Sequence, residues 1–299
     1  MFDIETGRAI VLGIVQGITE FLPISSDGHL ALMQASLNSW FGTTGDGNTL
    51  ELVLALHVGT LVSIILVFWK DLKKLPSQPW LCGLLILATI PAGLVGLLFK
   101  KTFEEAFNSP LIAGIGFLVT AAALLAGQWF ERPRIQEQQL SLLQAFWIGC
   151  CQSLALLPGV SRSGTTIAAG LSAGLERTAS ARFSFLMAVP VIGGATLLMV
   201  KDVIEQGHTS HSLSALILGA ITAGVVGYFS LNWLLRMVTQ RRLHWFAYYC
   251  LALGIVTIAW SSAYPATVSP TGSFNPEPTA KASRSQGNAG SGFETPKST

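Results

Sequence analysis

"LILATIPAGLVG" occupies residues 85–96, and "LILGAITAGVVG" occupies residues 216–227, an offset of 131. Lys70-Asp71 recurs at the same offset as Lys201-Asp202. Two further stretches, "GIVQGITEFLPISSDGHLAL" (13–32) and the run that contains "PGVSRSGTT" (158–166), align at an offset of 136. That alignment places Gly13 on Gly149, Gln16 on Gln152, Ser25 on Ser161 and Gly28 on Gly164. Matches that keep their order through both halves of a chain mark an internal repeat.

The solvent for this repeat follows from composition. Of 299 residues, 51% are hydrophobic and 11% charged, where soluble domains carry about a quarter charged. Six segments, about 50–69, 81–99, 110–130, 180–200, 213–236 and 244–261, reach the roughly 20 apolar residues that a helix needs to cross a bilayer. Residues 8–37 and 141–174 are apolar but broken midway by Pro, Gly and hydroxyl residues. Each reads as two short helices joined by a turn. Non-helical backbone at membrane depth is tolerated only inside protein or beside a watery cavity, so the two breaks are where function is expected.

Each half thus holds one broken pair and three crossings. An odd number of crossings turns the second half upside down, which is the inverted-repeat plan. The expected fold is an all-α polytopic membrane protein, each half contributing one re-entrant helix pair and three transmembrane helices. Residues 1–262 form a single membrane domain with halves at about 1–130 and 141–262. Residues 263–299, rich in Pro, Gly, Ser and Thr, are expected to be a disordered tail.

The formal charge of +2 offers no nucleic-acid partner. Cys82, Cys150, Cys151 and Cys250 sit in apolar runs and read as reduced packing residues. The acidic start "MFDIETGR" is not expected to be a cleaved signal peptide. Lys70, Lys73, Lys74, Arg132, Arg134, Arg177, Arg182, Arg236, Arg241 and Arg242 fall on one side of the expected topology. Arg8, Lys100, Lys101 and Lys201 fall on the other. The first side should face the cytoplasm, with the first broken pair entering from outside and the second from inside.

The polar residues at the breaks have opposite characters. In the first, Gln16 and Glu20 share a helix face, Pro23 ends the helix, and Ser25, Ser26, Asp27, Gly28 and His29 follow. A carboxylate at membrane depth is functional by default. Histidine can exchange a proton near neutral pH, although a lone one is commonly a core residue. Ser25 or Asp27 could equally serve as a helix N-cap. His57, on a crossing, reads as a packing residue or a support to the site. In the second break Arg162 offers a planar fork suited to phosphate oxygens. It lies among Ser161, Ser163, Gly164, Thr165 and Thr166 at the start of a helix, whose N-terminus favours an anion. The competing reading pairs Arg162 with Glu20 or Asp27 and makes the hydroxyls caps. Glu20 and Gln16 suit a hard divalent cation, Mg2+ or Ca2+, shared with substrate phosphates. The set could hydrolyse a phosphoanhydride whose lipid tail lies in the bilayer.

Over about residues 8–261 the chain resembles the undecaprenyl-diphosphate phosphatase family, the bacitracin-resistance membrane phosphatases. "QGITEFLPISSDGH" is similar to that family's glutamate-rich motif, and "PGVSRSGTTI" to its arginine-serine motif. The resemblance implies an inverted repeat with two re-entrant pairs. It implies hydrolysis of undecaprenyl diphosphate to the monophosphate carrier lipid and phosphate, recycling the carrier for peptidoglycan synthesis. It also implies a multi-pass protein of the bacterial plasma (inner) membrane, with the site opening to the outer face. By the same resemblance, Gln16 and Glu20 fill the family's (E/Q)xxxE positions, Ser26 the nucleophile position and His29 the position of an essential histidine. Arg162 with Ser161, Ser163, Gly164 and Thr166 fills the phosphate-binding positions. Gln16 stands where a glutamate is frequent and Asp27 where threonine is frequent, so Asp27 either supplies a metal ligand or repels the diphosphate. The expected mechanism has His29 deprotonate Ser26, which attacks the terminal phosphorus; direct attack by water, with Ser26 only positioning, and attack by His29 itself are the alternatives. The competing class is a carrier-lipid flippase or secondary transporter on the same fold. Monomer and homo-oligomer both stay open.

Overall fold

The computed structural model describes residues 4–41, 49–107, 109–131, 135–206 and 211–263. The tail from residue 264 onward lies outside the described residues, as do Arg132 and Arg134. The described chain is helical throughout, apart from one isolated bridge between Ile135 and Leu175.

Six helices are long and apolar enough to cross a membrane. They are α3 (Thr49–Val67), α5 (Pro79–Leu98), α7 (Pro110–Trp129), α10 (Arg177–Gln206), α11 (Leu213–Thr239) and α12 (His244–Ala263). These are the six segments expected from composition, with ends shifted by up to three residues except at α10, which runs on to Gln206. Many of their large side chains point outward: Leu98, Leu197, Leu213 and Phe229 are all exposed. That surface suits hydrocarbon rather than water. The chain is therefore an all-helical, multi-pass membrane protein.

The two broken regions are pairs of short helices. In the first, α1 (Ile4–Thr19) and α2 (Ser26–Phe41) flank a turn; in the second, α8 (Leu142–Ser153) and α9 (Arg162–Ser172) flank another. At 1.5 Å per residue these helices reach about 16–24 Å, short of the roughly 30 Å hydrocarbon thickness. Local chemistry fixes their ends. Ser141 and Gln144 form a reciprocal capping box on α8, and Ser161 accepts from the Gly164 N–H to cap α9. Two shorter helices, α4 (Trp69–Lys74) and α6 (Lys100–Phe107), follow α3 and α5.

Small residues bring the helices together. A Cβ added at Gly13 would lie 2.7 Å from the Gly219 carbonyl oxygen on α11, and one at Gly149 would lie 2.4 Å from the Ala88 oxygen on α5. Gly59 of α3 meets Ala220 more closely still, at 2.1 Å. With little hydrophobic drive between helices in lipid, such close backbone approach is the main source of association. Successive contacts of Gly13 and Gly17 on α1 advance along α11, so these helices run parallel; those of Gly149 and Leu156 advance along α5 in the same sense.

Ion pairs tie the ends of the bundle. Arg182 bridges Asp71 at 2.8 Å and the buried Glu137 at 2.6 Å, and Arg177 Nε donates to Glu131 at 2.8 Å. Lys100 meets Asp202 at 3.1 Å. Near the start of α11, Glu5 accepts from the Ser212 N–H at 2.8 Å and pairs with His211 at 2.9 Å, while Glu51 accepts from the His211 N–H at 3.2 Å.

Candidate active site

The first turn is built by a proline and a strained serine. The Glu20 N–H still donates to the Gln16 carbonyl at 2.9 Å, but Pro23 cannot continue the ladder. Ser25 then takes φ +70°, the left-handed region. For a residue with a Cβ this costs on the order of 1 kcal/mol. His29 Nδ1 donates to the Ser25 carbonyl at 2.7 Å and so holds the turn. In the second turn Gly159 has φ +82°, and a Cβ there would lie 2.0 Å from the Ala113 oxygen on α7. Only glycine fits. Thr120 of α7 pins this loop, donating to the Gly159 carbonyl at 3.0 Å and accepting from the Ser161 N–H at 2.9 Å.

The two turns meet at Glu20. Its Oε1 accepts from Arg162 Nη2 at 3.0 Å. Its Oε2 accepts from Ser26 Oγ at 2.8 Å and from Gln16 Nε2 at 3.1 Å. His57 Nε2 lies 4.0 Å from the same oxygen. The Glu20 and Arg162 side chains are 6% and 13% exposed, so the pair is shielded from screening and costly to break, about 3–5 kcal/mol on loss of one partner.

A cavity of about 150 Å³ opens beside this pair; Glu20, Ser26, Asp27, His57, Ser161 and Arg162 are among its polar lining residues. The opposite wall is apolar, with Ala92, Val191 and Ile192 among its residues. Pro91 and Pro190, both inside helices, immediately precede those residues. Three buried polar atoms here have no protein hydrogen-bond partner: Arg162 Nη1, Gln16 Oε1 and Gln152 Oε1. Unmet donors and acceptors beside a cavity are a place for a polar ligand.

The residues singled out in the sequence separate into groups. Gln16, Glu20, Ser26 and Arg162 are brought into one hydrogen-bonded cluster, with Asp27 in its field. Ser161 lines the cavity while capping α9. Gly164 supplies the capped N–H and packs against Ser161 and Pro23. The other hydroxyls turn inward: Ser163 donates to the Leu22 carbonyl at 3.3 Å, Thr165 to Ser161 at 2.9 Å, and Thr166 to Arg162 at 2.7 Å. Both readings of Arg162 thus coexist, since it pairs with Glu20 and keeps Nη1 without a protein partner beside the cavity. His29 is not in the cluster. Its Nε2 meets the Tyr249 hydroxyl at 2.7 Å, and its ring stacks on Tyr249 and meets the edge of Phe117.

His57 is closer to Glu20 than its sequence neighbours suggested. Its Nδ1 donates to the Val53 carbonyl at 2.8 Å, which leaves Nε2 toward the carboxylate. An ionisable residue within a crossing was the available signal. For Tyr249 no signal existed, because an aromatic residue near a helix start reads as interfacial. Among the described residues no group of three or more His, Cys, Asp or Glu side chains is arranged to hold a metal ion by itself.

Comparison with known proteins bears on this geometry. Residues 9–256 match the family model described as Bacitracin resistance protein BacA. A curated relative from Rhodopirellula baltica, named undecaprenyl-diphosphatase, is 44% identical over 256 residues, covering 85% of this chain and 97% of its own length. Relatives of the same name from Methanosphaera stadtmanae and Halothermothrix orenii are 40% and 38% identical. They cover 87% and 85% of this chain, and 99% and 97% of their own lengths.

Proposed function

Because the chain belongs to the Bacitracin resistance protein BacA family, we propose that it is an undecaprenyl-diphosphatase, a membrane hydrolase that converts undecaprenyl diphosphate to undecaprenyl phosphate and inorganic phosphate. The structural observation that carries the reading is the convergence of Ser26 and Arg162 on one buried carboxylate, Glu20, at the edge of a cavity.

Arg162 binds the diphosphate through Nη1 while Nη2 stays on Glu20, and Ser161 lies beside it. The guanidinium is thereby held in one orientation before substrate arrives, and preorganised charge is the largest contribution to stabilising developing charge on phosphoryl oxygens. Ser26 Oγ attacks the terminal phosphorus as its proton passes to Glu20 Oε2, its acceptor at 2.8 Å. The bridging P–O bond breaks, and undecaprenyl phosphate leaves with the electron pair and takes the proton from Glu20, which is a carboxylate again. Water then attacks the phosphoserine, giving a proton to Glu20; phosphate departs and Ser26 regains its proton. This gives Glu20 the proton-accepting part that sequence reading assigned to His29. His29 shapes the turn that presents Ser26.

A Mg2+ or Ca2+ ion fits the donors present. Glu20 and Asp27 border the cavity, Gln16 Oε1 is an acceptor without a partner next to Glu20, and such ions commonly use one or two carboxylates plus substrate phosphates. Bound there, the cation would neutralise phosphate charge.

The inverted repeat is part of the same proposal. The Gly13–Gly219 and Gly149–Ala88 contacts are the same contact under the offsets of 136 and 131. Ser26 and Arg162, equivalent at offset 136, each begin the second helix of their pair. The parallel runs of α1 with α11 and of α8 with α5 support entry of the two re-entrant pairs from opposite faces. Arg182 with Asp71, and Lys100 with Asp202, group the charges as the expected orientation requires. We place the basic end in the cytoplasm and the opening of the site on the outer face of the plasma membrane. Carrier recycling for the cell wall and bacitracin resistance are part of the same reading and rest on the family.

Phosphate release from undecaprenyl diphosphate by the purified chain in detergent tests the reading. Detergent abolishes vectorial transport but not hydrolysis, so a protein that released no phosphate would return the flippase alternative to first place.

A further inference from the structure

Gln152, the next-to-last residue of α8, is 2% exposed, and its Oε1 has no protein hydrogen-bond partner. It falls on Gln16 in the repeat, but the two amides are engaged differently. Four residues after Gln16 stands Glu20, which accepts from Gln16 Nε2. Four residues after Gln152 stands Leu156, and Gln152 Nε2 donates instead to the Ala88 carbonyl on α5, at 3.4 Å. That leaves the amide oxygen as the uncommitted atom. Gln152 also borders the polar cavity. The helices α5, α8 and α10 give that cavity Ala92, Gln152, Val191, Ile192 and Ala195, and among these described residues only the glutamine is polar. A buried amide oxygen on an otherwise apolar wall costs free energy unless a donor meets it.

We propose that Gln152 Oε1 orients the water that hydrolyses phosphorylated Ser26, which makes Gln152 a positioning residue for the second half of the reaction; the inference rests on the hydrolase reading above and its phosphoserine step. An amide oxygen only accepts, and ionised phosphate oxygens do the same, so Gln152 Oε1 does not bind the diphosphate as Arg162 does. A cation is drawn first to the carboxylates of Glu20 and Asp27. The O–H donor that the reaction itself requires is water. Displacement at phosphorus brings the incoming oxygen roughly opposite the outgoing one. When Ser26 Oγ is the outgoing atom, water approaches from the side of the cavity away from the first turn, and Gln152 belongs to the second helix pair. The water oxygen bonds to phosphorus as the P–Oγ bond breaks with its electron pair on Ser26. One proton of the water passes to Glu20, and Ser26 Oγ regains a proton. The other O–H stays on Gln152 Oε1 and keeps the lone pair toward phosphorus, as a glutamine orients the attacking water in GTP hydrolysis. The first step does not use Gln152, since Glu20 already holds Ser26 Oγ at 2.8 Å.

The test uses the full chain in detergent with labelled undecaprenyl diphosphate. Gln152→Met keeps the length of the side chain without the acceptor, and Gln152→Ala removes both. In rapid-quench experiments phosphoserine should form at a rate within about threefold of the unaltered protein and decay about 10²-fold more slowly during an unlabelled chase. Methanol supplies a second readout. It carries a single O–H, which Glu20 takes, so its attack does not need Gln152. In aqueous methanol the ratio of methyl phosphate to inorganic phosphate should rise about tenfold or more in both variants. Protein that fails to fold makes neither product, so misfolding does not move this ratio. Equal slowing of formation and decay, or an unchanged product ratio, would reduce Gln152 to a tie between α8 and α5 and overturns the proposal. A raised Ca2+ requirement with unchanged phosphoserine decay would make the amide a cation ligand and overturns it too. An unaltered chain that released no phosphate would fail the hydrolase reading itself. One that released phosphate without forming phosphoserine would overturn the present proposal and leave that reading standing.

Discussion

Arg162 Nη2 sits 3.0 Å from Glu20 Oε1, joining two turns that lie 142 residues apart in the chain. The carboxylate fixes the guanidinium, the guanidinium neutralises the carboxylate, and each leaves one face toward the cavity. Glu20→Gln should therefore lose about 10²–10⁴-fold in phosphate release, the range for removal of an acid–base group. It should also lower thermal stability, because Arg162 stays buried and uncompensated. Retained activity would remove Glu20 from proton transfer.

Arg162→Lys preserves charge but not the fork. A lysine ammonium cannot face Glu20 and a phosphate oxygen from two fixed nitrogens. About 10²–10³-fold loss in kcat is expected, the effect of removing one preorganised donor. Near-normal turnover would show that charge alone suffices.

Ser26→Ala should abolish turnover to within a few per cent, and rapid quench of the unaltered protein with labelled substrate should trap phosphate on Ser26. Substantial activity in Ser26→Ala would transfer the attack to water.

His29 and Tyr249 form a test of positioning against chemistry. Tyr249→Phe removes one hydrogen bond at the far side of the ring and should cost less than about tenfold. His29→Ala releases the Ser25 carbonyl and should cost about 10² in kcat, the effect of a misplaced reacting group. The pH–rate profile of the residual activity should keep its shape. Loss of the acidic limb, the fall in rate as pH drops, would instead make His29 the proton acceptor.

Much of the fold was legible because lipid enforces a simple grammar. Six unbroken apolar runs became six long helices, and Pro23 and Pro158 fell where short helices stop. The site was legible in its charges, since Glu20 and Arg162 had few ways to be tolerated at depth. The facing of individual side chains was not. Ser163, Thr165 and Thr166 look alike on paper, yet helix geometry sends the two threonine hydroxyls back to carbonyls four residues earlier, and tertiary packing gives Ser163 the Leu22 carbonyl of the other turn. His29 lies three residues from Ser26, and the left-handed Ser25 backbone precedes both. Sequence spacing could not show that the ring turns away toward Tyr249. His57 comes close to Glu20 through α3 packing, a tertiary fact.

Glu5 supplies a prediction at the bundle end. Burial alone would raise its pKa, but the Ser212 backbone N–H and His211 outweigh it and hold the carboxyl below the usual range. A depressed carboxyl contributes stability above its unfolded pKa and loses it as pH falls through the folded value. Thermal unfolding in detergent should therefore show a Glu5-dependent loss below about pH 4.5, absent in Glu5→Gln.

The Glu20–Arg162 pair also has a history within each molecule. A ribosome adding about 5–20 residues per second makes Glu20 on the order of ten seconds before Arg162. Through that interval the first half enters the bilayer carrying a carboxylate whose cation has not been synthesised. Gln16, Ser26 and His57, from its own half, are what can receive it. The hydrogen bonds that later arm the nucleophile are thus among the contacts that first make the newborn segment tolerable to lipid.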